Sequence, residues 1–255
     1  MFKAVPKSIA LASAFSFATL FSFASHATIV EFETSQGKFK VNLHDQTTPK
    51  TVENFLKYIN DGDYDNTVVH RLVSGFIVQA GGFKFDGELP LKKIAVDSSV
   101  DNEPVYSNVR GTIAMAKVGG DPNSATNQWF VNYKDNSANL DVQNGGFTVF
   151  GEIIEGMDVL DSLALLTNCK EIPMPDFTSE QCADSSFVPG TENFVTILSV
   201  TTADSTIVTD ASLASVKNTL INKVETSSDS GGGSFSYFAL CALAVLGFRR
   251  KTKVS

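Results

Sequence analysis

The stretch Val68 to Phe83, VVHRLVSGFIVQAGGF, carries the side chains best placed to do chemistry. Arg71 stands in an apolar, strand-like run beside His70, among Val, Leu, Ile and Phe. A guanidinium in that setting is costly unless it is paired or has work to do. Its planar fork of donors suits a carbonyl, a carboxylate or an exposed lone pair. Other chemistries lack their residues. No Gly-rich phosphate loop of the P-loop or dinucleotide kind is present. Past the amino-terminal segment the histidines are His44 and His70, with no ligand-like spacing around them, so no metal is expected. The net charge is −8, acidic residues are dispersed and no basic stripe is visible. That excludes a nucleic-acid backbone as the expected partner, since phosphate contacts need clustered Lys and Arg.

The elements that must hold these residues are mostly strands. TIVEFETSQGKFKVNL alternates apolar and polar residues on both sides of Gln36-Gly37 and predicts a hairpin. TTPKTVENFLKYINDGDY then changes period: Val52, Phe55, Leu56 and Ile59 fall on one helical face. Thr48 can cap that helix, Pro49 suits its first position and Gly62 can end it. KFDGELPLKKIAVDSSVDNEPVYSN is polar and turn-rich, a long loop with short strands. VRGTIAMAK, NQWFVNY, GGFTVFGEII and FVTILSVTT are further strands, and EGMDVLDSLALLT a second helix. In NQWFVNY, Gln128 and Phe130 share one face, while Trp129, Val131 and Tyr133 share the other. Apolar residues make up 43% of 255 residues, enough for a sizeable core. Many short strands with two helices predict a closed antiparallel barrel plugged by helices.

TPKTVENFLKYINDG, HRLVSGFIVQAGGF, RGTIAMAK, NQWFVNY and FTVFGEIIEGMDVLDSL occur in the order and spacing of the cyclophilins, the peptidyl-prolyl isomerases. The chain resembles that family over about residues 28 to 201. The resemblance implies a closed eight-stranded antiparallel barrel capped by two helices, an active site on the outer wall, and no cofactor. It implies isomerisation of X-Pro bonds, with proline-containing peptides and folding proteins as partners. The alternative is a non-catalytic proline-binding or chaperone-like module.

The residues also fit the chemistry. Rotation about an X-Pro bond crosses a barrier of about 18–20 kcal/mol because the amide is conjugated. Twisting localises the nitrogen lone pair. A catalyst can grip the proline ring, hold the flanking backbone and place a donor near that nitrogen, with no nucleophile or acid–base pair. By resemblance, Arg71 is that donor, a surface salt bridge being its competing role, and His70 a positioning residue. Phe76, Ile77, Phe130 and Leu140 match the apolar proline pocket, with Phe147 its wall; ordinary core is their competing role. Gln79 and Gln128 bind substrate backbone, and Ala116 lines the groove. For either Gln alone, a structural hydrogen bond is the competing role. The chain departs from the family at Ser74, often Pro, at Asn139, often Trp or Phe, and at Phe147, often His. The Trp helps bind cyclosporin in sensitive members, so weak inhibition is expected here.

The two ends predict export. Lys3 and Lys7 precede the apolar run SIALASAFSFATLFSFA, and SHA offers a cleavage site after Ala27, so residues 1–27 read as a signal peptide. Residues 28–202 are the isomerase-like domain and 203–230 a polar stalk. Residues 231–255 combine Gly-Gly-Gly-Ser, an apolar run from Phe235 to Phe248 and a basic end. As a helix that run spans about 21 Å, short of a roughly 30 Å hydrocarbon core. This end resembles the Gly-Gly carboxy-terminal sorting tails of some Gram-negative bacteria, which a rhomboid-type intramembrane protease is thought to remove. The expected address is the periplasm or cell surface. Membrane contact would be through the tail, transient if the tail is removed, and the protein is expected to act as a monomer on exported clients. Cys169 and Cys182 lie in a segment that looks inserted after the second helix. In an exported protein such thiols are expected to pair, two free thiols being the alternative.

Overall fold

The alternation at the start of the domain becomes a hairpin, β1 (Ala27–Thr34) and β2 (Gly37–Leu43), paired from Ile29 opposite Asn42 to Thr34 opposite Gly37. The computed structural model describes residues 27–207 and 213–222; the expected signal peptide and carboxy-terminal tail lie outside them. Val30, Phe32, Phe39 and Val41 point inward and are buried. Phe32 and Phe39 stack with centroids 4.4 Å apart, and Trp129 meets Phe32 edge-on at 5.1 Å. Fully burying such a side chain contributes about 1.5–3 kcal/mol. The opposite face carries Lys38 with Glu31 and Glu33, an exposed cluster of small energetic value.

Helix α1 (Pro49–Asn60) forms where the 3.6 period predicts it and buries Val52, Phe55, Tyr58 and Ile59. Gly62 follows with φ +72 and donates its N–H to the Ile59 carbonyl. Thr48 takes the expected N-cap position but makes no side-chain capping bond: its hydroxyl donates backward to the His44 carbonyl at 3.2 Å. The free N–H groups of Lys50 and Thr51 instead donate to the Glu103 carboxylate, at 3.3 and 3.0 Å. A remote acid thus supplies both the acceptor and the negative charge that a helix start favours.

The remaining strands are β3 (Thr67–Val68), β4 (Arg71–Val73), β5 (Ile77–Ala80), β6 (Phe83–Lys84), β7 (Lys92–Lys93), β8 (Thr112–Met115), β9 (Trp129–Asn132) and β10 (Val149–Glu155). After them come β11 (Thr167–Cys169), β12 (Ile172–Met174) and β13 (Thr196–Ile207). Among the described residues they form an 11-stranded sheet, in the order β4-β5-β9-β8-β10-β2-β1-β13-β3-β6-β7, and a separate β11–β12 pair. The end strands do not pair with each other, so the sheet is curled and open, which corrects the expected closed eight-stranded barrel. The reason lies at Val69 and His70. There the chain leaves β13 for β5: Val69 donates to Val195 and His70 to Gln79. Since β3 and β4 stand far apart in the sheet order yet only two residues apart in the chain, the sheet must curl back on itself.

The two expected helices are α1 and α3 (Met157–Leu163); two short ones, α2 (Ser137–Leu140) and α4 (Ser179–Ala183), add to them. The inner face of the curled sheet is covered throughout, and the outer face in part. Leu72, Val78, Ile113, Met115, Trp129, Val131 and Phe150 face the main core. Ile77, Ala114, Phe130 and Val149 face outward into a second cluster. Segment 167–194 builds a third with Val68 and Phe83, using Met174, Phe177 and Phe194. Within it Cys169 and Cys182 form a disulfide. Part of the stretch expected to be a stalk, residues 213–222, is seated on the domain: Ser107 donates to Val216, Asn218 to Val105, and the Asn218 amide to the Asp141 carbonyl at 3.0 Å.

Candidate active site

The outward face of four neighbouring strands assembles the site. Antiparallel register puts Arg71 opposite Gln79, Gln79 opposite Phe130, and Phe130 opposite Ala114. Residues two apart share that face, which adds Ile77, Gln128 and Ala116. The turn at Ser74 and Gly75, closed by the Phe76 N–H donating to the Val73 carbonyl at 2.9 Å, brings Phe76 to the rim. Helix α2 and the following loop lay Leu140 and Phe147 over the same patch, with Phe147 edge-on to Phe130 at 5.7 Å. The expected apolar residues therefore come together in one packed cluster, the walls expected for a proline notch; Ile77, Phe130, Leu140 and Phe147 are buried, and Phe76 is half-buried at the edge.

A polar network behind the notch ties its walls together. The buried Asp141 carboxylate accepts from the backbone N–H of Asn108 at 2.8 Å and from its side chain at 3.0 Å. The same Asn108 amide donates to the Phe147 carbonyl, and Asn132 donates to Asn108. Asn136 donates to Asn132 and, at 3.0 Å, to the Phe76 carbonyl. The backbones carrying Phe76, Leu140 and Phe147 thus share one set of hydrogen bonds. Gly146, at φ +73, is needed here, since a Cβ would stand 2.7 Å from the Asp141 carbonyl.

Arg71 lies at the start of β4 and is mostly shielded, with its side chain 19% exposed. Its Nε donates to the Glu171 carboxylate at 2.7 Å. Its Nη1 is buried with no acceptor from the protein. Gln79 donates from Nε2 to Gln128 Oε1 at 2.8 Å, and its own Oε1 is buried with no donor from the protein. Gly82 makes room for Gln128, whose Cγ a Cβ there would approach to 2.6 Å. His70 is buried, and its ring packs 4.6 Å from that of Phe83, toward the third cluster rather than over the notch. Burial pushes its pKa down to about 4, against smaller pulls from the Val68 backbone and the Gln128 side chain. It is neutral near pH 7 and suits positioning rather than proton transfer.

Sequence reasoning missed Lys117 and Glu171. Lys117 is buried beside Ala116; its Nζ donates to the Asn144 and Gly146 carbonyls at 2.9 and 2.6 Å and lies 4.9 Å from the Phe147 ring centre. A Lys after a strand ordinarily signals solvent, so nothing local marked it. Glu171 is 100 residues from Arg71, beyond any local pattern. An open groove of 1050 Å³ runs between α1 and residues 97–101, and Lys50–Asp101 and Lys57–Asp97 pair across it.

Chemically, an apolar cluster of this kind suits an apolar ring, and the guanidinium and the glutamine amides beside it are groups that suit peptide backbone. It has no positioned nucleophile. A fixed cationic donor beside an apolar notch can favour a peptide conformation whose nitrogen or carbonyl accepts more strongly than in the planar ground state.

Comparisons with known proteins show the family. Residues 29–183 match the model of the cyclophilin type peptidyl-prolyl cis-trans isomerases. The chain is 42% identical over 138 residues to a peptidyl-prolyl cis-trans isomerase of Streptomyces antibioticus, covering 52% of this chain and 81% of that one. It is 39% identical over 141 residues to peptidyl-prolyl cis-trans isomerase B of Escherichia coli, covering 53% and 83%. Against peptidyl-prolyl cis-trans isomerase A of Dickeya dadantii it is 41% identical over 145 residues, covering 55% and 73%.

Proposed function

The chain belongs to the cyclophilin-type peptidyl-prolyl cis-trans isomerases, and from that premise we propose that it isomerises X-Pro bonds in exported client proteins with Arg71 as the donor. The proline ring occupies the notch of Phe76, Ile77, Phe130 and Leu140, walled by Phe147. Gln79, Gln128 and Ala116 hold the flanking backbone, and His70 keeps Gln128 in place. The observation that carries this reading is the shielded Arg71 Nη1, left without a protein acceptor in the strand row that runs on to Phe130. The guanidinium donates to the prolyl carbonyl and steadies the nitrogen lone pair as the amide twists. A hydrogen bond to a charged group is worth about 1.5–3 kcal/mol. Made more strongly in the twisted state, it speeds rotation by roughly tenfold to more than a hundredfold.

The export signal, the periplasmic or surface address and a tail that holds the chain to a membrane until removal complete the proposal. They are supported by the composition of residues 1–27 and 231–255. The test of the enzyme is a protease-coupled assay on an Ala-Pro-Phe peptide. Wild type should accelerate the cis-to-trans step and Arg71→Ala should lose most of that acceleration. Equal rates for the two would remove Arg71 from the mechanism. Peptide binding with no acceleration by wild type would leave a proline-binding module instead.

A further inference from the structure

We propose that Glu171 is a positioning residue for Arg71, presented by a hairpin that a disulfide ties to α4 and that lies against the edge of the strand carrying that arginine. The inference rests on the reading of Arg71 as the donor. Strand β4 ends the sheet order, so its outer edge would expose unpaired backbone groups. The β11–β12 hairpin covers it. The Leu72 N–H donates to the Glu171 carbonyl at 2.5 Å, and the Asn168 amide donates to the Leu72 carbonyl at 2.9 Å. Glu171 therefore grips two successive residues: Leu72 through its backbone and Arg71 through its carboxylate, 2.7 Å from Nε.

The tip of the hairpin is an unusual place for this side chain. Lys170 and Glu171 both have positive φ, +53 and +70, the conformation of a tight two-residue hairpin turn. Asn-Gly or Asp-Gly ordinarily fills such turns, because other residues meet a steric penalty there. Here the surroundings hold the tip in place. Cys169, just before it, is joined to Cys182 on α4, whose start is capped by reciprocal Thr178–Gln181 bonds. Met174 and Phe177 anchor the far side in the third cluster.

The geometry bears on the donor because guanidinium is rigid and planar. Fixing Nε fixes the direction in which the terminal amines point. Arginine also has a large rotamer entropy, and a free side chain would lose it in every turnover. The carboxylate itself is about half exposed, so solvent attenuates its pull on the cationic charge while the hydrogen bond still sets the plane. Positioning therefore outweighs charge neutralisation.

The test is a double-mutant cycle in the full chain with the same peptide assay. Glu171→Ala should lower kcat about tenfold, with KM changing less than about twofold, as expected for a contact realised in the transition state. Glu171→Gln, whose amide oxygen can still accept from Nε, should stay within about twofold of wild type. In the Arg71→Ala background, Glu171→Ala should add nothing. The Arg71 Nε–H resonance should lose its protection from exchange in Glu171→Ala and keep it in Glu171→Gln. A Glu171→Ala enzyme with unchanged or raised kcat, or a loss that persists in full without Arg71, overturns the role of Glu171. Arg71→Ala at the wild-type rate instead overturns the donor assignment and this inference with it.

Discussion

Arg71 stands directly opposite Gln79 in the β4–β5 ladder, so the cation and the amide share one face of the sheet. Side-chain direction alternates along a strand, and a slip of one residue would turn Arg71 into the main core. The buried Leu72 and Val78, paired with each other one step along, prevent that slip, since their own burial depends on the same register. The core thus sets the direction of the functional face.

The first prediction concerns Gln79. Its amide links Arg71's row to Gln128. Gln79→Leu keeps the volume and removes both the bond and the free acceptor. A neutral hydrogen bond contributes about 0.5–1.5 kcal/mol, so kcat/KM should fall about three- to tenfold. Because backbone holding acts in ground and transition states alike, the change should lie mainly in KM. Steady-state kinetics across a peptide concentration series checks this; a fall in kcat alone would give Gln79 a different role.

Acid should destabilise the protein through His44 and His70, both buried. His44 and His70 are each pushed down to about 4, foremost by burial, with Lys217 adding to the effect at His44. An unfolded histidine titrates near 6.5. Between those values the unfolded chain binds protons that the folded chain does not, so stability is full above about pH 6.5 and declines as pH falls toward 4. The loss is on the order of 3 kcal/mol per histidine. Denaturant midpoints from pH 7 to 4 should fall, and His70→Phe should flatten the fall. The chemical step moves no proton, so kcat should stay level from about pH 6.5 to 8.5; a bell-shaped profile there would contradict the mechanism.

Asp141 should matter to the notch without touching substrate. Its removal leaves two buried N–H groups of Asn108 unpaired. Each costs about 1–3 kcal/mol. Asp141→Ala should therefore lower the melting temperature by several degrees, roughly 2–4 °C for each kcal/mol lost in a domain of this size. It should also raise KM as the Leu140 and Phe147 walls loosen. A melting curve and a KM that both match wild type would show the network to be dispensable.

How far the sequence announced all this depends on the range of each interaction. The β1–β2 hairpin, α1 and the two faces of β9 follow from alternation and a 3.6 period, local patterns that side-chain direction enforces. Motif resemblance points to the notch residues; Ile77 and Phe130 share one sheet face, while Leu140 and Phe147 arrive from α2 and the loop after it. What stayed hidden is long-range. Glu103 capping α1, Glu171 on Arg71 and Asn218 on Asp141 join segments far apart in sequence, and no periodicity encodes them. The open, curled sheet escaped for a related reason: a two-residue break at Val69 and His70 decides it, and a break that short leaves the apolar run intact.

The final prediction turns on Asn139, exposed in α2 next to the buried Leu140. Resemblance to the family puts a cyclosporin-binding Trp at this position in sensitive members. Asn offers no aromatic surface and no indole donor, so the drug should inhibit this enzyme weakly. An aromatic anchor in a binding surface is often worth about 2 kcal/mol or more. Asn139→Trp should therefore strengthen inhibition by roughly thirtyfold, with the uninhibited kcat within about twofold because the residue lies outside the Arg71 row. Inhibition curves on the two proteins decide it. Tight inhibition of wild type, or no gain in Asn139→Trp, would show that the drug contacts this notch in another way.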